Sequence, residues 1–218
     1  MKKTIFIIIS LFVCVLNIFS QNEIISKEKY DLVMKEAAAK AENLPNRKTM
    51  IAKFYSGKDI TQIRTTISEM ISSDKRRNYF KVEQKGKITD LIESITIGNV
   101  QYRKKLNEDW IKDTLSSNGF GSRGGGMGIE IKSRNLDEYF VSKSKINNQE
   151  SNIYVNFNAI LTENYLYFIE NQKWINSDGL IIRSVVKVSK IVPENITSIS
   201  ITDYEYNPKD LNIEAPIK

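Results

Sequence analysis

Histidine is absent from this chain of 218 residues, and cysteine occurs once, at Cys14. Without histidine the chain cannot build a Ser-His-Asp triad or a Cys-His pair, and it lacks the usual ligands of a zinc site. The nearest carboxylate pairs, Asp137–Glu138 and Asp203 with Glu205, have the character of solvated surface rather than of a catalytic pair. We therefore predict a protein that is not an enzyme, with no catalytic residues, no metal site and no cofactor.

Long hydrophobic runs are scarce as well, and the one clear run stands at the start of the chain. The Lys2–Lys3 pair precedes an apolar segment, Ile5–Leu16, which is shorter than the roughly 20 residues of a membrane-spanning helix. Ser20 then offers the small residue of a cleavage site, most simply between Ser20 and Gln21. The pattern predicts a cleavable signal peptide over residues 1–20 and export of the remainder, most simply to a periplasm.

Two alternatives stay open for this leader. It could remain uncleaved as an anchor, or Cys14 could carry lipid and tether the protein to the envelope. Cleavage after residue 20 would remove the only thiol, so the mature domain would hold its fold by burial alone, without disulfides. The net charge of +6 suits peripheral contact with an anionic membrane surface, whereas export argues against nucleic acid as a partner.

The remainder, residues 21–218, has no linker rich in proline, serine or glycine, so we predict a single domain. Its predicted segments are a helix over 21–45, a first strand set over 46–112, a glycine-rich loop and short helix over 113–150, a second strand set over 151–206, and an extended tail over 207–218.

The predicted helix begins after Ser26, a good N-cap, and runs to about Leu44. Its apolar residues recur at helical spacing, and several are alanines, so the apolar side is shallow and can approach a sheet closely. We predict that this side contacts the concave face of the sheet. The apolar positions are Tyr30, Val33, Met34, Ala37, Ala38, Ala41 and Leu44.

Most of the rest alternates as β-strands with short turns, which predicts antiparallel hairpins. Residues 60–72 are ambiguous between helix and strand, and their threonines favour a strand. Leu136–Val141 is predicted as a short helix, and the glycine-rich segment Gly119–Gly128 as a loop at the rim of the sheet. A sheet of nine to eleven strands tends to curl. The predicted fold is therefore mainly β with one helix: a curled antiparallel sheet, or half-open β-barrel, whose concave face is covered by the N-terminal amphipathic helix.

Three motifs in sequence resemble the periplasmic lipoprotein-carrier superfamily, which includes LolA/LolB-like and mycobacterial LppX-like proteins. The similar segments are Glu93–Gly98 with Tyr102 and Trp110–Lys112, then Trp174–Leu180 with Arg183, then Tyr204–Asn207 with Ile213–Pro216. Together they span most of residues 46–216. The resemblance implies a half-open β-barrel that encloses an apolar cavity, and a role in transport and sorting of outer-membrane lipoproteins or lipids.

The predicted function is therefore an exported, non-catalytic binding protein that carries or senses a lipid or lipoprotein acyl chain. An alternative is an envelope scaffold or interaction protein of the same fold, with a cavity filled by side chains and no ligand. A continuous apolar void would favour the first, and touching aromatic side chains the second. The candidate cavity residues are Met34, Phe54, Ile67, Phe80, Ile92, Ile95, Ile97, Tyr102, Phe157, Leu166, Phe168, Val186 and Val188.

Overall fold

The structure is a computed structural model, and it describes residues 23–114, 132–146, 148–161, 165–191 and 195–217. One helix and twelve strands lie within these residues. In chain order they are β1 (Glu23–Ile24), α1 (Lys27–Ala41), β2 (Asn46–Ser56), β3 (Asp59–Ser72), β4 (Lys75–Gln84), β5 (Lys87–Ile97), β6 (Val100–Lys105), β7 (Ile111–Thr114), β8 (Lys132–Ile146), β9 (Gln149–Leu161), β10 (Leu166–Asn176), β11 (Ile181–Lys190) and β12 (Asn195–Tyr206).

The strands form a single antiparallel sheet in the order β1-β8-β9-β10-β11-β12-β2-β3-β4-β5-β6-β7. Strands β2 to β7 form one meander and β8 to β12 another. The two meanders join where β12 pairs with β2, with Ile201 opposite Ile51. The outer strands β1 and β7 do not pair with each other, so the sheet is a curled half-barrel rather than a closed one. The predicted fold class is confirmed.

Positions directly opposite each other on paired strands share a face of the sheet, so the register defines two faces. One face carries Tyr154, Lys173, Val186 and Phe80, and α1 packs on it; we call this concave side the helix face. The other carries alternate residues, such as Ile95, and receives residues 208–217; we call it the tail face.

Helix α1 begins as predicted, because the Ser26 hydroxyl oxygen accepts a hydrogen bond from the Lys29 backbone amide at 3.2 Å. It ends at Ala41, a few residues before Pro45. Within the helix Ala37 is only 2% exposed, whereas Ala38 is exposed. The prediction that Ala38 contacts the sheet is therefore wrong: it lies one residue, or about 100° of helix rotation, from the buried side.

The tail packs on the tail face near the β7 edge. Ile213 is fully buried against Ile95 and Tyr102, and Leu211 and Trp110 pack around them. The tail is also held by Arg47, whose guanidinium donates to both carboxylate oxygens of Asp210 at 3.0 and 3.2 Å. The extended tail was expected along an edge of the sheet, and the structure places it over the face beside that edge.

Two local expectations have opposite outcomes. Residues 59–72 form strand β3, as their threonines favoured. The short helix predicted for Leu136–Val141 is wrong, since these residues belong to β8. Tyr139, Phe140 and Val141 pair directly with β9, and Leu136–Glu138 form the extra residues of a bulge. Tyr139 is 2% exposed, so its burial and ladder hydrogen bonds outweigh a weak local helical pattern.

The leader of residues 1–20 and the glycine-rich segment Gly119–Gly128 lie outside the described residues. In the part of the chain that the structure covers, α1 is too short and too polar to cross a membrane.

Candidate functional site

The candidate site is the space between α1 and the helix face. Near its start the helix is fixed by Tyr30, whose ring lies 5.0 Å from that of Tyr139 and whose hydroxyl donates to the Asn156 side-chain oxygen at 3.0 Å. Burial raises the pKa of Tyr30 to about 12, so this hydroxyl keeps its proton at neutral pH. Near its end, Lys40 donates to the Asp178 backbone carbonyl at 2.9 Å.

These two attachments determine the path of the helix. Asn156 lies in the middle of β9 and Asp178 in the turn after β10, so the helix runs between these two points. Its middle presents Met34 and the small Ala37 to the sheet. An alanine side chain fills little volume, so the helix can lie close to the sheet here without filling the concave face beyond it.

A groove of about 550 Å³ opens beside the first turn of α1. Val141 and Tyr154 supply its apolar wall, and Ser142 and Asn152 supply neutral polar groups. Three charged residues complete the lining, and Lys29 and Glu23 among them form an ion pair at 3.1 Å. The lining residues are Glu23, Lys29, Val141, Ser142, Lys143, Asn152 and Tyr154.

An apolar stripe continues across the helix face toward β5. Val186 and Val188 of β11 are half-buried, and so are Phe54 of β2 and Phe80 of β4. Ile92 of β5, directly opposite Phe80, is 38% exposed. Arg64, directly opposite Ala52, lies over the ring of Phe54 at 4.6 Å from its centre, and Ala52 is only 6% exposed, so the stripe is covered at this point. Small side chains separate the other apolar groups. They are Ser184, Ser198, Ser200, Ala52 and Thr66.

Lys173 is a second cation on this face. It lies on β10 with Tyr154 and Ser184 directly opposite on the flanking strands, and it is half-buried. Burial lowers its pKa below the usual lysine value, because the charged form is the one that loses hydration. The side chain forms no ion pair or side-chain hydrogen bond among the described residues.

The register divides the thirteen candidate cavity residues between the two faces. Those on or facing the helix face are Met34, Phe54, Phe80, Ile92, Val186 and Val188. Those on the tail face are Ile67, Ile95, Ile97, Tyr102, Phe157, Leu166 and Phe168. None of the thirteen lines the groove at the first turn of α1, and the first group shares the face of the sheet on which α1 packs.

Comparison with known proteins adds to this geometry. No family model matches the sequence, and no curated protein matches it. The fold is similar to the crystal structure of LprF from Mycobacterium bovis, with 7% identity and a TM-score of 0.45 over 88% of this chain and 99% of that one. It is also similar to a LolA superfamily protein from Nitrosomonas europaea, with 9% identity and a TM-score of 0.28 over 86% and 96%.

On the tail face, the candidate residues meet other parts of the chain. Ile95 and Tyr102 are covered by Ile213. Farther along the same face, the ring of Phe157 lies 5.3 Å from that of Phe168 and 6.0 Å from that of Phe140. These aromatic contacts stiffen the β8–β10 part of the sheet from the side opposite α1.

Sequence reasoning did not select Lys143, Lys173, Asn152, Tyr154 or Asn156, all of which line or border the groove. Alternation along β10 offered a signal, because Ile169, Lys173 and Ile175 share one side of that strand. Only the position of α1 shows that this side is the covered one.

Proposed function

We propose that the protein is an exported, non-catalytic binding protein that carries or senses a lipid or acyl chain between α1 and the helix face. The observation that carries this proposal is the half-buried apolar stripe on the concave face, floored by small side chains and only partly covered by the helix. An acyl chain in water is unfavourable by about 0.8 kcal/mol per CH₂, so such a stripe is a favourable site for one.

The alternative, a scaffold with a filled cavity, requires large side chains that touch across the concave face. On this face Phe54 contacts Arg64 and forms no ring contact with Phe80 among the described residues, whereas the touching phenylalanines lie on the tail face. The distribution of side-chain volume therefore favours the binding protein.

The proposed setting is transport between the membranes of an envelope. Two features support it: the predicted export signal, and the basic composition, which suits transient contact with an anionic membrane surface. The lipid or lipoprotein acyl chain remains the proposed partner.

Uptake of a fluorescent fatty acid tests the proposal. We expect binding at micromolar levels, which corresponds to about −8 kcal/mol and to the burial of roughly ten CH₂ groups before ordering costs. Val186→Trp should fill the space above the stripe and abolish uptake. The matched control is Val185→Trp, because Val185 is the next residue of β11 and lies on the tail face.

Thermal unfolding of both tryptophan variants shows whether the domain remains folded. Wild-type protein that takes up no acyl ligand, or equal loss of uptake in both folded variants, would contradict the proposal and favour the scaffold.

A further inference from the structure

Charge is distributed unevenly between the two faces of the sheet. Ion pairs between strand residues are concentrated on the tail face, where opposite charges neutralise each other locally. They are Arg47–Glu69, Arg77–Glu69, Arg47–Glu205, Lys81–Glu83 and Arg183–Asp203.

The helix face is basic and largely unpaired. Two ion pairs lie near its edges, Arg103–Asp113 and Lys145–Glu150. Asp59 and Asp90 are the carboxylates assigned by register to the described strands of this face that have no ion pair. The helix-face cations that lack a carboxylate partner among the described residues are Lys48, Arg64, Arg76, Lys87, Lys105, Lys143, Lys173 and Lys190.

Lys143 and Lys173 occupy the part of this face beside α1. Lys143 lines the groove and lies opposite Asn152, and Lys173 lies one step along the sheet opposite Tyr154. A cation that is half-buried without a counter-ion is unfavourable in the empty protein, and the lowered pKa of Lys173 reflects that cost. A bound anion would act as the counter-ion and remove this free-energy cost.

The geometry points to an amphiphile with an acidic head group, a carboxylate or a phosphate, as the ligand of the proposed binding protein. Lys173 and Lys143 contact the head group, and Tyr154 and Asn152 offer it neutral hydrogen bonds. The apolar chain lies along Val186 and Val188 toward Phe54, whose ring is in contact with Arg64. Strand β2 is three strand spacings from β10, or about 14 Å, which is the scale of a medium-length acyl chain. This inference rests on the proposed function and specifies its ligand class.

A comparison of cis-parinaric acid with its methyl ester tests the inference, because the two probes share a chain and differ in charge. We expect the wild-type protein to bind the acid about tenfold more tightly than the ester, which is the scale of one charged hydrogen bond. Lys173→Met should remove this preference and retain ester binding. Lys187→Met is the matched control: Lys187 is a half-buried lysine of the neighbouring strand on the tail face, opposite Glu170 and without an ion pair among the described residues, and its loss should leave the preference intact.

A second measurement does not depend on a variant. The lysines are reductively methylated with a ¹³C label, and the resonance that is missing from the Lys173→Met variant is assigned to Lys173. The pKa of Lys173 should rise on addition of the acid but not of the ester.

Equal affinity of the wild-type protein for acid and ester would overturn the inference and leave the proposed function standing. Binding of neither probe would overturn the proposed function itself. Displacement of the acid by inorganic phosphate as readily as by unlabelled lauric acid would assign the lysines to a free anion, and would also overturn the inference.

Discussion

At the scale of single residues, Glu69 is the most constrained charge among those described. Its side chain is 4% exposed, and it accepts hydrogen bonds from Arg47 at 2.7 Å and from Arg77 at 2.6 Å. Arg47 extends the network to Asp210 of the tail, and the hydrogen bond from this guanidinium holds the pKa of Asp210 below its usual value. One buried carboxylate thus joins β2, β3 and β4, and through Arg47 it is linked to the tail.

Glu69→Gln tests this network. The amide keeps the shape of the side chain but removes the charge that two guanidinium groups share, so we expect a loss of about 1–3 kcal/mol in unfolding free energy. Glu205→Gln is the control, because Glu205 bonds the same Arg47 but is 55% exposed; its effect should stay within about 0.5 kcal/mol. Urea titration at neutral pH measures both values. Equal losses of unfolding free energy in the two variants would show that the burial of Glu69 does not determine its contribution to stability.

At the scale of elements, α1 is attached to the sheet by few groups. Tyr30 and Met34 join a small cluster with Ile25 and Tyr139, and Lys40 reaches the β10–β11 turn. Gly179 of that turn has φ +77°, and a side chain there would meet the Lys40 ammonium group. Glycine at this position therefore permits both the turn and the contact with the helix. Such a lightly attached helix suits an element that must admit a ligand.

Adjacent alanines test how the helix packs. Ala37→Asp places a charge without a partner against the sheet and should destabilise the protein by several kcal/mol. Ala38→Asp places the same charge in solvent. Apart from the lower helix propensity of aspartate, it should change the free energy of unfolding by no more than about 0.5 kcal/mol. Thermal unfolding of the two variants distinguishes these cases, and similar midpoints would mean that α1 does not pack through Ala37.

At the scale of the whole molecule, the two faces of one sheet have separate tasks. The tail face is covered by residues 208–217 near the β7 edge and carries most of the paired charges, which favours stability, while Ile51 and Ile201 in its middle stay exposed. The helix face keeps an open apolar stripe and unpaired cations, which favours binding. Successive side chains of a strand point to opposite faces, so one strand contributes to both faces. Val185 lies on the tail face and Val186 on the helix face.

Export is a property of the whole chain and is predicted from its first 20 residues. Intact mass of the protein purified from its native source should match a chain that begins at Gln21 or within a few residues of it. A diacylated chain that begins at Cys14 would contradict cleavage at Ser20 and place the protein on a membrane anchor instead. Fractionation of the envelope provides the independent control.

The sequence alone determined the elements whose signals are local. Ser26 and the alanine-rich repeat specify α1, and alternation with short turns specifies the hairpins and hence an antiparallel sheet. The helix prediction for Leu136–Val141 was wrong because these residues carry a weak helical pattern of their own. Their strand conformation depends on pairing with β9, and that pairing is not visible in the local sequence. The site residues could not be selected from the sequence for the same reason, because their position depends on contacts with other segments.

Only the tertiary structure decided which side of each strand faces the helix. Alternation in sequence separates two sets of side chains but does not identify the covered set, since that depends on where α1 and the tail pack. Ile92 and Ile95 were predicted as one lining, yet they lie on opposite faces, whereas Lys173 shares the face of Tyr154, on which the helix packs. The physical reason is that strand periodicity is a property of the chain, and burial is a property of the contacts that distant segments make.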